Sequence, residues 1–261
     1  MKIKMRENIM TKSFKVLSVG NSFSSDGMEY LYQISENLGA ENIILGNLYI
    51  AGCSLEKHWH CAENYISGYI YYKNNNGIWK ETPDFKSLDA IREEKWDFIT
   101  LQQGSGPSGK PETYEPYLSN LIEYVKNNTT NPELKLVWLN TWAYQADGTH
   151  TAFPDYNNDQ MTMYDTILNA LRSEVMTKED ISIIIPAGIA IQYARKDFGD
   201  VLTRDGYHLS IPLGRYIAAL TWAAALTGLD YTKITYIPED FVGKNLPLVI
   251  KAVRKAFEIK L

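Results

Sequence analysis

Two short stretches near opposite ends of the 261-residue chain carry residue types that could perform nucleophilic catalysis. The first, VLSVGNSFSSDG, places Ser22 after an apolar, strand-like run and before a helical pattern. The second, RDGYHLSIPLG, places Asp205 three residues before His208. A serine hydroxyl needs a base to remove its proton, and an imidazole oriented by a carboxylate is such a base. The two stretches therefore predict a Ser-His-Asp triad, provided that folding brings them together.

Each stretch also has a plainer interpretation. Ser22, with the serines at 24 and 25, could only satisfy backbone donors before a helix, and the Asp205 segment could be an ordinary surface turn. Ser210 and Pro212 suit the start of a following helix, which would anchor the loop that holds His208. Ser22 stands at the carboxyl end of a strand, where open parallel sheets bind their ligands, and this placement favours the catalytic interpretation.

The positions of the strands follow from apolar, β-branched runs that alternate with helical patterns. This alternation predicts βαβ units around a mainly parallel sheet. The candidate strands are FKVLSVG from Phe14, IILGNLYI from Ile43, DFITLQQ from Asp97, LKLVWLN from Leu134 and ISIIIP from Ile181.

The helix after the first strand has the clearest boundary signals. Asp26 and Glu29 have the spacing of a capping box, an apolar stripe begins at Met28, and Gly39 supplies a stop. Further helices are predicted near residues 54–62, 85–94, 114–127, 159–175, 189–196, 212–226 and 246–259.

One segment, residues 66–82, breaks the alternation. Tyrosines, Ile and Trp flank NNNG, a strong turn signal, and the pattern predicts a small β-hairpin inserted at the surface. Neither a repeat nor a low-complexity linker marks a boundary, so residues 1–261 are predicted to form a single domain with a flexible N-terminus at 1–12.

Composition narrows the classes of partner. The net charge is −5, the pI is near 5.5 and Lys/Arg clusters are missing, which argues against binding to nucleic acid or to an anionic membrane surface. A small, neutral ligand fits better. Cys53 and Cys61 do not resemble a disulfide framework and are expected to be free and buried. The sequence as given has no signal-peptide pattern, so a cytoplasmic location is expected, or a secreted or periplasmic one if a leader has been removed.

These motifs, taken in order, resemble the SGNH/GDSL hydrolase superfamily. Gly20, Asn21 and Ser22 correspond to its first block, Gly-Asp-Ser, with Asn in place of the usual Asp, and Asp205 with His208 corresponds to its last block, Asp-x-x-His. The resemblance spans Val16 to Leu209. It implies Ser22 as nucleophile, His208 as general base and then acid, and Asp205 as its orienting partner. It also implies a flavodoxin-like, three-layer α/β/α sandwich with a five-stranded, mainly parallel sheet.

The two middle blocks of the superfamily supply donors to the reaction's oxyanion. IAGCSLE resembles the first of them and implies the backbone N–H of Gly52, beside that of Ser22. LQQGSG stands where the family has Gly-x-Asn-Asp, and it resembles carbohydrate-esterase branches. Gln102 and Gln103 should point to opposite faces of their strand, so only one reaches the site. We favour Gln103 as the donor and place Asn21 and Gln102 among the substrate-binding residues.

Two rival groups of residues need to be considered. His58 and His60 are two apart on a predicted helix and point in different directions, so they are not expected to chelate one metal ion. Asp147 and His150 form a second Asp-x-x-His pattern, but no predicted helix start fixes the imidazole. His150 is the alternative base.

Aromatic residues near the predicted strand ends suit a carbohydrate ligand. Trp59 and Trp142 could stack on sugar faces, although packing in the core or at its rim would explain them equally well. We therefore expect a serine esterase that acts on small acyl esters, O-acetyl groups on carbohydrate in particular, without a metal or an organic cofactor. An inactive carbohydrate-binding protein on the same fold and an esterase or lipase for longer acyl chains are the alternatives.

Overall fold

The computed structural model describes residues 13–260, so the prediction for residues 1–12 lies outside the described part of the chain. All five predicted strands are present and parallel. They are β1 (Ser13–Gly20), β2 (Glu41–Tyr49), β5 (Phe98–Leu101), β6 (Lys135–Leu139) and β7 (Ile181–Ile185).

The predicted hairpin supplies the other two strands, β3 (Tyr69–Asn74) and β4 (Trp79–Phe85). Instead of standing apart at the surface, β3 pairs antiparallel with β2. The sheet therefore has seven strands in the order β4-β3-β2-β1-β5-β6-β7, and the expected count of five is wrong. Pairing with the hairpin satisfies the backbone groups along the outer edge of β2, which would otherwise be an open sheet edge.

Helices cover both faces of the sheet, which confirms the three-layer architecture. One layer contains α3 (Leu55–Glu63), α4 (Ser87–Glu93) and α5 (Tyr117–Asn128), which contact one another. The opposite layer is built around α8 (Leu213–Leu226), whose neighbours are α1 (Ser22–Met28), α2 (Leu31–Asn37), α7 (Ala187–Phe198) and α9 (Leu246–Glu258). Between β6 and β7 the chain forms α6 (Gln160–Ala170), which runs into a π-helical turn at Leu171–Val175.

The first helix differs from its prediction. It begins at Ser22 with Asn21 as the N-cap, whereas Asp26 lies buried inside it, and the helical pattern divides into α1 and α2 near Tyr30. Asn21 accepts a hydrogen bond from the Phe23 amide, which satisfies one of the free donors at the helix start. The shift carries Ser22 into the first turn of the helix, directly beyond β1.

The sheet order places this turn at the point where strand connections diverge. The chain leaves β1 for β2 on one side, and later returns to form β5 on the other side. Loops separate at such a switch point and leave a crevice in which α/β proteins bind ligands. Among residues 13–260, no helix is long and apolar enough to cross a bilayer.

Candidate active site

The turn that holds Ser22 is built from tightly fitted small and polar residues. A Cβ atom on Gly20 would lie 2.4 Å from the Ser24 hydroxyl oxygen, so a larger residue does not fit there. Ser24 in turn donates to the backbone oxygen of Asn21 at 2.7 Å. These contacts fix the backbone around Ser22, whose own side chain is partly exposed to a cavity.

Asn21 ties three strand ends together beneath the nucleophile. Its Oδ1 accepts from the Phe23 amide and from Nε2 of Gln102, each at 2.9 Å, while its Nδ2 donates to the backbone oxygen of Cys53 at 3.0 Å. An ionised Asp, the usual residue of the superfamily, could not make this last bond. Asn21 and Gln102 are both 1% exposed, so the substrate contacts predicted for them give way to a supporting role.

Asp205 and His208 form the predicted carboxylate-imidazole pair. Oδ2 of Asp205 lies 2.6 Å from Nδ1 of His208, and Oδ1 accepts from the backbone amides of His208 and Tyr207 at 2.8 and 3.2 Å. Burial by itself would raise the pKa of Asp205, but these hydrogen bonds outweigh it and hold the pKa below its ordinary value. The ionised carboxylate keeps the proton on Nδ1 and leaves Nε2 as the basic nitrogen.

The buried carboxylate of Asp26 joins the loop that holds His208 to α1, the helix that begins with Ser22. We call these contacts of Asp26 the clasp. Asp26 accepts from the Leu209 amide at 2.7 Å, from the Arg204 guanidinium at 3.0 Å and from Nε of Arg215 at 2.8 Å. Arg204 and His208 also pair through their backbones across the loop. Because Asp26 lies four residues after Ser22 on the same helix, it ties the His208 loop to the helical turn that holds Ser22.

Trp142 holds the same loop from its other side. Its indole stacks on the Phe23 ring with centroids 4.2 Å apart, and its Nε1 donates to the backbone oxygen of Tyr207 at 2.7 Å. Trp142 is 0% exposed, so it cannot stack on a sugar as predicted. Trp142 fills the space between Phe23, which follows Ser22, and Tyr207, which precedes His208.

Ser22 and His208 line one cavity of about 450 Å³, so the fold brings together the two ends of the chain that the triad requires. A cavity of this size lies within the range of about 300–1,000 Å³ that is usual for small-molecule sites. The structure therefore brings a serine hydroxyl and an imidazole with an oriented tautomer to one cavity that has space for a small molecule.

Two backbone amides are free to stabilise an oxyanion. Within the described chain, the N–H groups of Ser22 and Gly52 have no hydrogen-bond acceptor. Gly52 has a φ of +60°, a conformation that glycine adopts at little cost, in the turn after β2. Both amides belong to loops at the carboxyl end of the sheet, where the resemblance places the oxyanion donors.

The third predicted donor is occupied elsewhere. Nε2 of Gln103 donates to the backbone and hydroxyl oxygens of Thr113, each at 3.1 Å, and Oε1 accepts from the amides of Leu55 and Gly104. Gln103 therefore caps α3 and secures the loop after β5, and its amide is not available to an oxyanion. Both glutamines lie beyond β5, which ends at Leu101, so strand alternation does not apply to them, and neither lines the cavity.

The rival residues lie outside this arrangement. Trp59 is on α3 and packs edge-on against Tyr124 with ring centroids 6.4 Å apart, away from the cavity. His58 is fully buried and bonds the Tyr69 hydroxyl, whereas His60 on the same helix is exposed, so the two imidazoles point apart. Cys53 and Cys61 are free and buried, as predicted.

His150, the alternative base, packs against Tyr207 of the His208 loop. Its Nδ1 accepts from the Ala152 amide at 3.1 Å, and the ring centroids of His150 and Tyr207 are 4.7 Å apart. Burial and the proximity of His208 lower the pKa of His150. Asp147 instead accepts from the Gln145 side chain, so the second Asp-x-x-His pattern does not form a carboxylate-imidazole pair.

The sequence did not predict the clasp at Asp26, nor that the hairpin would line the cavity. Arg204 adjoins Asp205 and its charge was visible, but only the fold shows that it meets Asp26 across 178 positions. Tyr72 and Trp79 of the hairpin also line the cavity. Side chains alternate between the two faces of a strand, so the positions of these rings along β3 and β4 could have predicted that they share a face. That this face borders the cavity follows only from the pairing of the hairpin with β2.

Solved structures with low sequence identity share this architecture. A putative GDSL-like lipase from Parabacteroides merdae ATCC 43184 is 17% identical, over 88% of this chain and 100% of that one, with a TM-score of 0.55. An acetylxylan esterase from Geobacillus stearothermophilus, solved as a catalytic mutant, is 14% identical over 88% and 98%, with a TM-score of 0.51. The fold is that of the SGNH/GDSL hydrolases.

The chain belongs to the DUF4886 family, a domain of unknown function, whose family model matches residues 15–256. A DUF4886 family protein from Bacteroides uniformis ATCC 8492 is 39% identical over 94% of both chains, with a TM-score of 0.89. No curated protein matches the sequence.

Proposed function

We propose that the protein is a serine esterase that removes small acyl groups, acetyl groups in particular, from carbohydrate. The observation that carries this proposal is the Asp205–His208 pair, 2.6 Å from Oδ2 to Nδ1, whose imidazole lines one cavity with Ser22 at the start of α1. This constellation activates a serine for acyl transfer. The likeness of the fold to an acetylxylan esterase supports an acetylated sugar as the substrate.

The reaction follows from the positions of the donors. Oγ of Ser22 attacks the ester carbonyl while Nε2 of His208 takes its proton, and the imidazolium is stabilised by Asp205. The free amides of Ser22 and Gly52 hold the tetrahedral oxyanion. Collapse of the intermediate breaks the ester bond, and His208 gives the proton to the departing sugar oxygen, which leaves as the alcohol. Water, deprotonated by the same imidazole, then attacks the acyl-enzyme, and the bond to Oγ of Ser22 breaks to release acetate while His208 returns the proton to Oγ.

The charged wall of the cavity favours a short acyl group on a polar alcohol over a fatty acyl ester. The ion pairs of Asp26 with Arg204 and Arg215 form part of its wall, and a long alkyl chain placed against them would leave charged groups without solvent. Among aryl esters of increasing acyl length, we therefore expect acetate to be hydrolysed fastest.

The direct test is hydrolysis of 4-nitrophenyl acetate by the wild type and by Ser22→Ala. We expect the variant to lose at least about 10³-fold in kcat/KM, because the nucleophile is gone. Ser173→Ala is the matched control, since Ser173 is an exposed serine far along the chain in the π-helical turn. Equal rates for wild type and Ser22→Ala would contradict the proposal, and a wild type that binds acetylated sugars without hydrolysing them would favour the binding-only alternative.

A further inference from the structure

The inserted hairpin forms part of the catalytic cavity. In the pairing register of the sheet, Tyr72 lies opposite Asn47 of β2, and Trp79 lies opposite Asn74 of β3. Side chains of paired residues point to the same face, as do side chains two positions apart on one strand. This places Tyr49, Tyr72 and Trp79 on one face of the sheet, and all three line the cavity.

These three rings extend outward from the nucleophile. Tyr49 pairs in register with Gly20, the residue at the base of the Ser22 turn. Tyr72 meets Tyr49 edge to face with centroids 5.9 Å apart, and Trp79 follows on the outer strand. Trp79 is partly exposed, so an occupant of the cavity can reach its ring.

The opposite wall carries charged hydrogen-bonding groups. Arg204 and Arg215 are held by Asp26, and Arg215 also pairs with Glu29 at 3.1 Å. The two carboxylates, Asp26 and Glu29, balance the two guanidinium groups, so the formal charges of these four side chains cancel. A wall of this kind offers donors and acceptors to hydroxyl groups without attracting a net charge.

We propose that the hairpin wall, defined as Tyr49, Tyr72 and Trp79, binds the glycosyl unit that carries the ester. This inference rests on the proposed function and deepens it. A pyranose ring presents C–H groups on its faces, which suit aromatic rings, and hydroxyl groups at its rim, which suit the charged wall. The ligand is a neutral sugar ester, and the hairpin is the element that selects it.

The test compares two acetate esters whose alcohol groups differ in size, and therefore in how far they extend from Ser22 toward Trp79. Xylose tetraacetate presents a sugar ring to the hairpin wall, whereas the leaving group of ethyl acetate is too small to extend to Trp79. We expect Trp79→Ala to raise KM for xylose tetraacetate about tenfold and to lower kcat/KM for ethyl acetate by a much smaller factor, as followed by pH-stat titration. Trp79→Phe keeps an aromatic ring and should recover part of the loss.

Ile78→Ala is the matched control, because Ile78 precedes Trp79 on the hairpin, is 63% exposed and does not line the cavity. Ile78→Ala should change the kinetics of hydrolysis of neither ester. Equal losses on both esters in Trp79→Ala, or no loss on either, would overturn the inference. A wild type that hydrolyses ethyl acetate but not the sugar acetate would also overturn it while leaving the esterase intact, and hydrolysis of neither would refute the proposed function itself.

Discussion

At the scale of single residues, the site depends on which atoms are still free to react. Asp205 fixes one nitrogen of His208 and leaves the other for Ser22, whereas the hydrogen bonds of Gln103 are already used by Thr113, Leu55 and Gly104. Residue type alone made His208 and Gln103 equally plausible as site residues. Their hydrogen-bond partners, which depend on distant segments, separate a reactive residue from a supporting one.

Asp205→Asn tests the orientation of the imidazole. The new Oδ1 can still accept from the two backbone amides, but the NH₂ group would face Nδ1 and force the proton onto Nε2, where it blocks the transfer from Ser22. We expect kcat for 4-nitrophenyl acetate to fall on the order of 10³- to 10⁴-fold with little change in KM. Asp147→Asn, in the second Asp-x-x-His pattern, is the control and should retain activity. Equal kcat values for the two variants would contradict the assignment.

At the scale of elements, the clasp fixes the His208 loop to α1. It joins residues nearly 200 positions apart through Asp26, which is 1% exposed. On the other side of the loop, Trp142 fills the space between Phe23 and Tyr207. The loop that holds His208 is thereby positioned by contacts on both sides, as the proposed catalysis would require.

Asp26→Asn should weaken this clasp. Replacing the carboxylate leaves two guanidinium groups without their buried partner, and removing one member of a buried ion pair costs about 3 kcal/mol. We expect a loss of about that size in the free energy of unfolding by urea, together with a lower kcat. Glu258→Gln, which breaks an exposed pair with Lys255, should change the free energy of unfolding far less. A similar small cost for both variants, with kcat unchanged, would show that the clasp does not position the base.

At the scale of the whole molecule, the sequence predicted the parallel strands, the hairpin and the two distant segments, around Ser22 and His208, that meet at one cavity. Apolar periodicity and turn signals are local properties, and they identified β1, β2, β5, β6 and β7. The pairing of β3 with β2 and the meeting of Asp26 with Arg204 depend on contacts between distant segments, which no local pattern encodes. The predicted capping box at Asp26 is wrong for the same reason, because its carboxylate binds the His208 loop and Asn21 caps the helix instead.

A buried imidazole links the stability of the fold to pH. Burial lowers the pKa of His58 to about 3, with a smaller effect from Lys57, whereas an unfolded His has a pKa near 6.5. Between these values the unfolded chain binds the additional proton, so this contribution to stability is complete above about pH 6.5 and declines as the pH falls toward 3.

His58→Gln should therefore make stability less sensitive to acid. Between pH 7.5 and 4.5, the wild type should lose about 2–3 kcal/mol of unfolding free energy more than the variant does, as measured by urea denaturation at both pH values. His60→Gln, on the exposed side of the same helix, is the control and should keep the wild-type dependence. If His58→Gln shows the wild-type pH dependence, its imidazole is not the buried neutral group inferred from the structure.

The central claim is that Ser22 is a nucleophile activated by His208. The measurement that tests it most directly is mass spectrometry of the protein after incubation with a fluorophosphonate, which reacts covalently with activated serines. The account predicts a single adduct on Ser22 in the wild type, no adduct in Ser22→Ala, and much slower labelling in His208→Gln. Labelling of Ser22→Ala at the wild-type rate, or an adduct on another serine of the wild type, would contradict it.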